Sequence, residues 1–169
     1  MALEVRRVVT GHNAQGKAIV ASDDRIAGNQ RPGRPGLTRA EIWSSDAMPV
    51  DNSDAAAAAQ RQGFVKRYNY VGSGQGTVVR ITEIAPGSAP FMHRTETLDY
   101  AILISGTCDM ELDGGEVVRL KAGDIVIQRG TMHAWINRGT APCVFAFVLI
   151  DADPVTIDGA ALRTHYPAT

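Results

Sequence analysis

From Gly76 onward, short apolar runs alternate with glycine-containing turns, and this pattern restricts the fold more than any other feature of the chain. In one run, Cys108, Met110 and Leu112 alternate with acidic residues, which is typical of a strand with one wet face. Many short strands at regular spacing indicate an all-β sandwich or barrel. The predicted strands are 77–84, 99–104, 107–113, 116–120, 124–128, 133–137 and 143–150.

The segment before Gly76 is mixed in character. Apolar runs at 5–10 and 18–22 flank a polar turn and predict a β-hairpin, whereas the Gly- and Pro-rich stretch 23–36 predicts a loop. Residues 37–43 fit a strand or a turn. The alanine-rich stretch 54–61 predicts one short helix, with Ser53 or Asp54 as its N-cap and Gly63 as its stop. We divide the chain into an N-terminal extension (1–75), a barrel core (76–152) and a C-terminal tail (153–169).

Composition excludes several classes of protein. A length of 169 residues fits one domain, and a formal net charge of −1 without a basic block argues against nucleic acid or a membrane surface as a partner. The N-terminus does not read as a signal peptide, and the longest apolar run, 144–150, is too short to cross a bilayer, so we expect a cytoplasmic protein. Cys108 and Cys143 lie in apolar strand patterns and are predicted to be reduced core thiols.

Two glycine-flanked stretches each carry one histidine, and their spacing resembles the two motifs of the cupin family. The match is to small single-domain cupins of the conserved-barrel type, in a branch found in bacteria and fungi. Thr95, Asp99 and Gln128 stand where the motifs place a second histidine, a glutamate and a proline. The resemblance implies a jelly-roll β-barrel, or double-stranded β-helix. The matching positions are Gly87, His93 and Gly106 in the first motif, and Gly123, Gly130, His133 and Asn137 in the second.

His93, Asp99 and His133 are the candidate metal ligands. Two imidazoles and a carboxylate on a rigid β scaffold suit a divalent transition metal, and zinc, iron, manganese and nickel all fit this donor set. The alternative is that both histidines are structural, with hydrogen bonds inside the barrel. Glu96 is a competing carboxylate, and we expect it to move a proton as a catalytic residue.

Arg80 is the second candidate catalytic residue, because an inward guanidinium would orient a carboxylate or phenolate. An exterior position, paired with Glu83 or another surface acid, fits the pattern equally well. Apolar and polar residues near the histidines predict the wall of a substrate pocket, although each also suits the barrel core. The pocket candidates are Met92, Thr95, Tyr100, Trp135 and Asn137.

The resemblance implies a cupin enzyme that acts on a small organic acid or an aromatic or enolisable carbonyl compound. We favour lyase chemistry, by decarboxylation or dehydration. The alternatives are a non-haem iron dioxygenase with a two-histidine, one-carboxylate site, and a non-catalytic ligand-binding or sensor cupin. The predicted strand 143–149 is apolar on both faces, so other residues must pack against each of its faces. Together with the resemblance to small cupins, this pattern suggests a homodimer.

Overall fold

The computed structural model describes residues 2–45, 47–60 and 76–167, and it is mostly β. The chain begins with an antiparallel hairpin of β1 (Glu4–His12) and β2 (Ala18–Ala27), as the sequence predicts. The prediction of a loop over residues 23–36 is wrong for the first part of that range. There, β2 continues to Ala27 and a short strand, β3 (Asn29–Gln30), follows. Cross-strand ion pairs, Arg6–Asp23 at 2.6 Å among them, extend the ladder through this polar stretch.

The undecided stretch at 37–43 is a strand, β4 (Leu37–Ser44), and it joins a six-stranded sheet. The strand order in this sheet is β3-β4-β5-β11-β6-β9, and every neighbouring pair is antiparallel. Beyond β5 the strands depart from chain order, because β11 lies between β5 and β6, and β9 pairs with β6, as in a jelly roll. The remaining members are β5 (Thr77–Ile84), β6 (Thr97–Ser105), β9 (Ile125–Arg129) and β11 (Cys143–Asp151).

A second sheet of three strands has the order β10-β7-β8. Its members are β7 (Thr107–Leu112), β8 (Val117–Lys121) and β10 (His133–Ile136). Phe145, Leu103 and Leu149 of the large sheet pack in one apolar cluster with Met110 and Leu120 of the small one. Each such side chain contributes about 1.5–3 kcal/mol when fully buried, so this cluster holds the two sheets together as a barrel.

The helix α1 (Asp54–Gln60) forms where the sequence predicts it. Ser53 is its N-cap, since the Ser53 hydroxyl accepts a hydrogen bond from the Ala56 backbone N–H at 3.2 Å. The predicted stop at Gly63 lies outside the described residues.

The C-terminal tail carries a hairpin that the sequence analysis did not predict. Strands β12 (Thr156–Ile157) and β13 (Ala160–Ala161) flank Asp158 and Gly159, which both have positive φ, at 47° and 79°. The Asp-Gly dipeptide is the signal that could have revealed this turn.

Both cysteines are buried, free thiols, which confirms the sequence prediction. Within the described part of the chain, no helix has the length and apolar character needed to span a bilayer.

Candidate functional site

One cavity opens between the two sheets, with about 930 Å³ of empty space that is partly open to solvent. Strands β5, β6, β10 and β11 supply its interior, because alternate residues of each strand point into the barrel. The loop before β4, the segment that leads to His93 and the C-terminal tail supply its mouth. The lining includes Arg31, Arg34, Arg39, Arg80, Phe91, His93, Thr95, Asp99, His133, Trp135, Phe147 and Tyr166.

His93 and His133 lie side by side in this cavity. Their backbones form an isolated antiparallel bridge, in which each N–H donates to the other residue's carbonyl at 2.9 Å. This bridge brings the ring centroids within 4.6 Å of each other. The convergence of the two histidines, expected from their motif positions, is therefore present.

Hydrogen bonds fix which nitrogen of each ring faces the cavity. His93 Nδ1 lies 2.9 Å from the Phe91 carbonyl, and His133 Nδ1 lies 3.0 Å from the Thr131 carbonyl. A carbonyl only accepts, so Nδ1 carries the proton in each ring. Gln128 Nε2 also lies 2.9 Å from His133 Nδ1. The two protons of this amide nitrogen, however, have acceptors in the Thr131 carbonyl and the Thr131 hydroxyl, so His133 Nδ1 need not accept one. Each Nε2 therefore keeps a lone pair for a ligand.

Both imidazoles are neutral at physiological pH. Burial and, to a smaller extent, the neighbouring His133 lower the pKa of His93 to about 3, although the hydrogen bond to the Phe91 carbonyl opposes this shift. Burial also lowers the pKa of His133. Arg80 lowers both values by repulsion of a positive charge.

Asp99 is a buried carboxyl group on the inner face of β6, only 6% exposed. Burial raises its pKa to about 6, although the Thr97 hydroxyl and the positive charge of Arg80 oppose the rise. Among the described residues, Asp99 Oδ1 has no hydrogen-bond partner. Near neutral pH this group therefore exists in both protonation states, with one buried oxygen that no described residue satisfies.

The three predicted metal ligands share the cavity but do not form a three-donor centre. No group of three His, Cys, Asp or Glu side chains in the described residues is placed to hold an ion together. Two features of the chain explain this: an aspartate is one methylene shorter than the glutamate of the motif, and Thr95 replaces the second histidine. The Thr95 hydroxyl accepts a hydrogen bond from Thr97 at 2.8 Å. In this arrangement the three side chains therefore do not meet around one point.

Arg80 points into the barrel and lines the cavity, so the exterior alternative is wrong. Its guanidinium carbon lies 5.5 Å from the centroid of the Phe147 ring, a buried residue of β11. This position suits the orientation of an anionic group, as the sequence analysis expects of an inward arginine.

Glu96 does not line this cavity, and the structure does not support its expected role as a proton carrier there. Its carboxylate accepts from Arg163 Nη1 at 2.8 Å and from the Thr164 hydroxyl at 2.9 Å. The hydrogen bond from Arg163 is the main reason that its pKa is lowered. Glu96 therefore holds the C-terminal tail against the barrel.

The predicted pocket residues divide between the cavity and other places. Thr95 and Trp135 line the cavity. Met92 and Tyr100 do not; Tyr100 has the opposite parity to Asp99 on β6 and is 37% exposed. Asn137 is 1% exposed but structural, because its amide donates to the carbonyls of Ile84 and Ala141.

Several residues of the cavity wall were absent from the sequence-based set, among them Arg34, Phe147 and Tyr166. Phe147 shares parity with the core residue Phe145, and this alternation could have identified it. Arg34, Phe91 and Tyr166 lie outside the long strands, where no periodic pattern indicates which side chains face inward. Tyr166 stacks on both Phe91 and His93, at 6.0 Å between centroids.

The chain is similar in sequence to proteins of fungal biosynthetic clusters. Residues 80–150 match the Cupin_2 family of cupin domains. The chain is 34% identical over 159 residues to the phomopsin biosynthesis cluster protein C' of Diaporthe leptostromiformis, covering 92% of this chain and 83% of that protein. It is 33% identical over 167 residues to the cupin-domain-containing oxidoreductase fogC of Aspergillus ruber, covering 95% and 79%.

A solved structure shows the same fold at low sequence identity. The cupin-2 domain from Rhodospirillum rubrum aligns with a TM-score of 0.51 and 12% identity, over 83% of this chain and 73% of that one. The motif spacing, the barrel and the identity over nearly the whole length agree, and the chain belongs to the cupin family.

Proposed function

We propose that this cupin is an enzyme that acts on an anionic aromatic or enolisable small molecule, by a lyase-type decarboxylation or dehydration. One observation carries the proposal. The Arg80 guanidinium, the buried carboxyl group of Asp99 and the neutral imidazoles of His93 and His133 line the same cavity, beside aromatic side chains. Such a set can bind an acid, remove a proton and return one.

Substrate binding rests on Arg80 and the ring-lined wall. The guanidinium offers paired donors that match a carboxylate or phenolate, and Trp135 and Phe147 offer flat apolar surface beside it. An aromatic acid satisfies both features, whereas a neutral aliphatic compound satisfies neither. This complementarity supports the proposed substrate class.

Proton transfer rests on the histidine pair and Asp99. In a dehydration, an imidazole Nε2 would take a proton from the carbon beside a carbonyl, while protonated Asp99 would give its proton to the departing hydroxyl, which leaves as water. In a decarboxylation, the bond to the carboxyl carbon breaks, carbon dioxide leaves, and Asp99 protonates the carbanion. Positioned groups of this kind accelerate such steps by about 10²–10⁴-fold.

Cupin barrels typically bind a metal ion, and in this chain His93, His133 and Asp99 are the side chains that would hold one. The described side chains do not place three donors around one point, so each step proposed for this site uses only residues of this chain. The proposal depends on the protonation states of Asp99 and the histidines and on the position of Arg80.

An oxidoreductase is the second candidate. Relatives that are 33% identical over most of their length, from Aspergillus ruber and Hypocrea virens, are described as cupin-domain-containing oxidoreductases. The expected dioxygenase chemistry belongs to this class. A third candidate, a ligand-binding cupin without turnover, uses the same cavity and Arg80.

The deciding experiment incubates the purified protein with aromatic acids that carry an adjacent enolisable carbonyl or hydroxyl group. Products are identified by mass spectrometry, with and without oxygen, while an oxygen electrode records consumption. Oxygen-independent loss of carbon dioxide or water, abolished in Asp99→Asn but retained in the exposed control Asp113→Asn, supports the lyase. Oxygen uptake coupled to product overturns it in favour of the oxidoreductase. Binding without turnover favours the ligand-binding cupin.

A further inference from the structure

We infer that the cavity selects an elongated aromatic diacid, with one acidic group at Arg80 in the interior and the second at Arg34 at the mouth. This inference rests on the proposed function and deepens it, because it assigns a second anion-binding point and a substrate shape. The aromatic part would lie along the ring-lined wall between the two arginines.

The wall is continuous from the mouth to the interior. Phe91 and His93 have ring centroids 5.0 Å apart, and His133 follows at 4.6 Å from His93. Trp135 lies 5.4 Å from His133, and Phe147 lies 5.6 Å from Trp135. The planes of successive rings are inclined at 40°, 44°, 74° and 63°, so the rings form a continuous but stepped lining. An extended aromatic ligand contacts more of this lining than a compact one does.

A guanidinium stands at each end of this wall. The Arg34 guanidinium carbon lies 3.9 Å above the Phe91 ring, within the range of a cation–π contact, which orients this side chain at the mouth. At the other end, the Arg80 guanidinium carbon lies 5.5 Å from the centroid of Phe147. A ligand with one acidic group meets one end of the wall, whereas a diacid meets both.

The charge balance of the cavity favours two negative groups. Four arginines line it, and two carboxyl groups lie near them, Asp99 in the lining and Glu41, which interacts with Arg39, Arg80 and Arg31. Burial raises the pKa of both carboxyl groups. Arg39 has a partner in Glu41 at 3.7 Å. Within the described residues, Arg34 has no ion pair, and burial together with the charge of Arg31 lowers its pKa. A partly buried cation without an anion is costly, and a ligand carboxylate would offset that cost.

Calorimetric titration with two matched probes tests the inference. The probes are 2-naphthoate, with one carboxylate, and 2,6-naphthalenedicarboxylate, with a second carboxylate at the far end of the same rings. The full-length protein is compared with Arg34→Gln, with Arg80→Gln and with Arg119→Gln, a control whose side chain is 84% exposed on β8. Circular dichroism and thermal unfolding establish that each variant is folded.

The wild-type protein is expected to bind the diacid about tenfold more tightly than the monoacid, since a charge-assisted hydrogen bond contributes enough for that difference. Arg34→Gln should erase this preference and leave 2-naphthoate affinity within about twofold, whereas Arg119→Gln changes neither. Equal affinities for the two probes, or an equal loss for both in Arg34→Gln, would overturn the diacid inference alone. Failure of both probes to bind, or full affinity in Arg80→Gln, would overturn the proposed function as well.

Discussion

Asp99 shows how one buried residue links the site to the stability of the fold. Its pKa is about 6 in the folded protein, against an ordinary value of 3.8. A raised carboxyl pKa means that the folded state holds the proton more tightly than the unfolded state does. The stability gained from the protonated form is present below about pH 4 and is lost as the pH rises through 6.

We therefore predict that Asp99→Asn stabilises the protein at pH 8 by roughly 2–3 kcal/mol, and that this gain disappears near pH 4. The amide cannot ionise, so it avoids the cost of a buried negative charge. Urea unfolding of both proteins across this pH range measures the difference, with Asp113→Asn as the exposed control. A less stable variant at pH 8 would mean that a bound cation stabilises ionised Asp99, and repetition with a chelator would identify it.

Strand parity explains which single residues of the site were predictable. His133 and Trp135 fall on inward positions of a strand that alternation identifies, and both line the cavity. Tyr100 sits one position from Asp99 and so points to the opposite face. Asn137 matches its motif position, but its hydrogen bonds serve the turn after β10, and spacing alone does not distinguish such a role from ligand binding.

At the scale of elements, the turn between β6 and β7 depends on Gly106. This residue has a φ of 81°, and a Cβ placed on it would lie 2.9 Å from the Cα of Cys143. We predict that Gly106→Ala costs at least about 1–2 kcal/mol from the left-handed conformation, with a further cost from the contact. Gly114 is the matched control, because an added Cβ there meets nothing within 4 Å.

Thermal and urea unfolding compare Gly106→Ala and Gly114→Ala with the wild type. Gly106 belongs to the first cupin motif, so this experiment also tests why that position carries glycine. Equal stability of the two variants would show that the backbone near Cys143 moves readily, and the steric explanation would then be wrong.

The C-terminal strap, residues 163–166, is an element that Glu96 holds in place. Arg94 and His165 exchange backbone hydrogen bonds at 2.9 Å, and the Glu96 carboxylate accepts from Thr164. The strap places Tyr166 over His93 at the mouth of the cavity. We therefore expect Glu96 to affect ligand binding through the strap, although it lies outside the cavity.

We predict that Glu96→Gln increases amide hydrogen exchange in the strap and weakens 2-naphthoate binding severalfold, while global stability falls by about 1 kcal/mol or less. The Arg163 pair is largely exposed and contributes little by itself, since Arg163 is 69% exposed. Glu116→Gln, at an exposed position, is the control. Unchanged exchange in the strap would contradict the proposed anchoring.

On the scale of the whole molecule, the barrel was predictable and the mouth of its cavity was not. The strands from Thr77 to Asp151 follow alternation and glycine turns, which are local signals. The mouth joins Arg34, Phe91 and Tyr166, which are far apart in the chain. These three residues come together only when distant segments of the chain pack against the barrel. A single sequence contains no periodic pattern that predicts such packing.

The outer face of the large sheet is where the expected homodimer would form. Ile127, Tyr100 and Val148 lie opposite one another across β9, β6 and β11, and Ile125 and Ile102 form the next row. Ile125 and Ile127 are 61% and 53% exposed. The N-terminal hairpin packs near β4, where Arg7 donates to the Ile42 carbonyl, so among the described residues it leaves this face open.

We expect a second copy of the chain to cover these rows, because a continuous exposed apolar patch on a sheet is typical of an association surface. Ile127→Glu should convert the dimer to a monomer, as measured by light scattering coupled to size-exclusion chromatography over a range of concentrations. Val117→Glu is the control, since Val117 is 49% exposed on β8 in the other sheet. A monomeric wild type at high concentration, or a dimer that survives Ile127→Glu, would exclude this face as the interface.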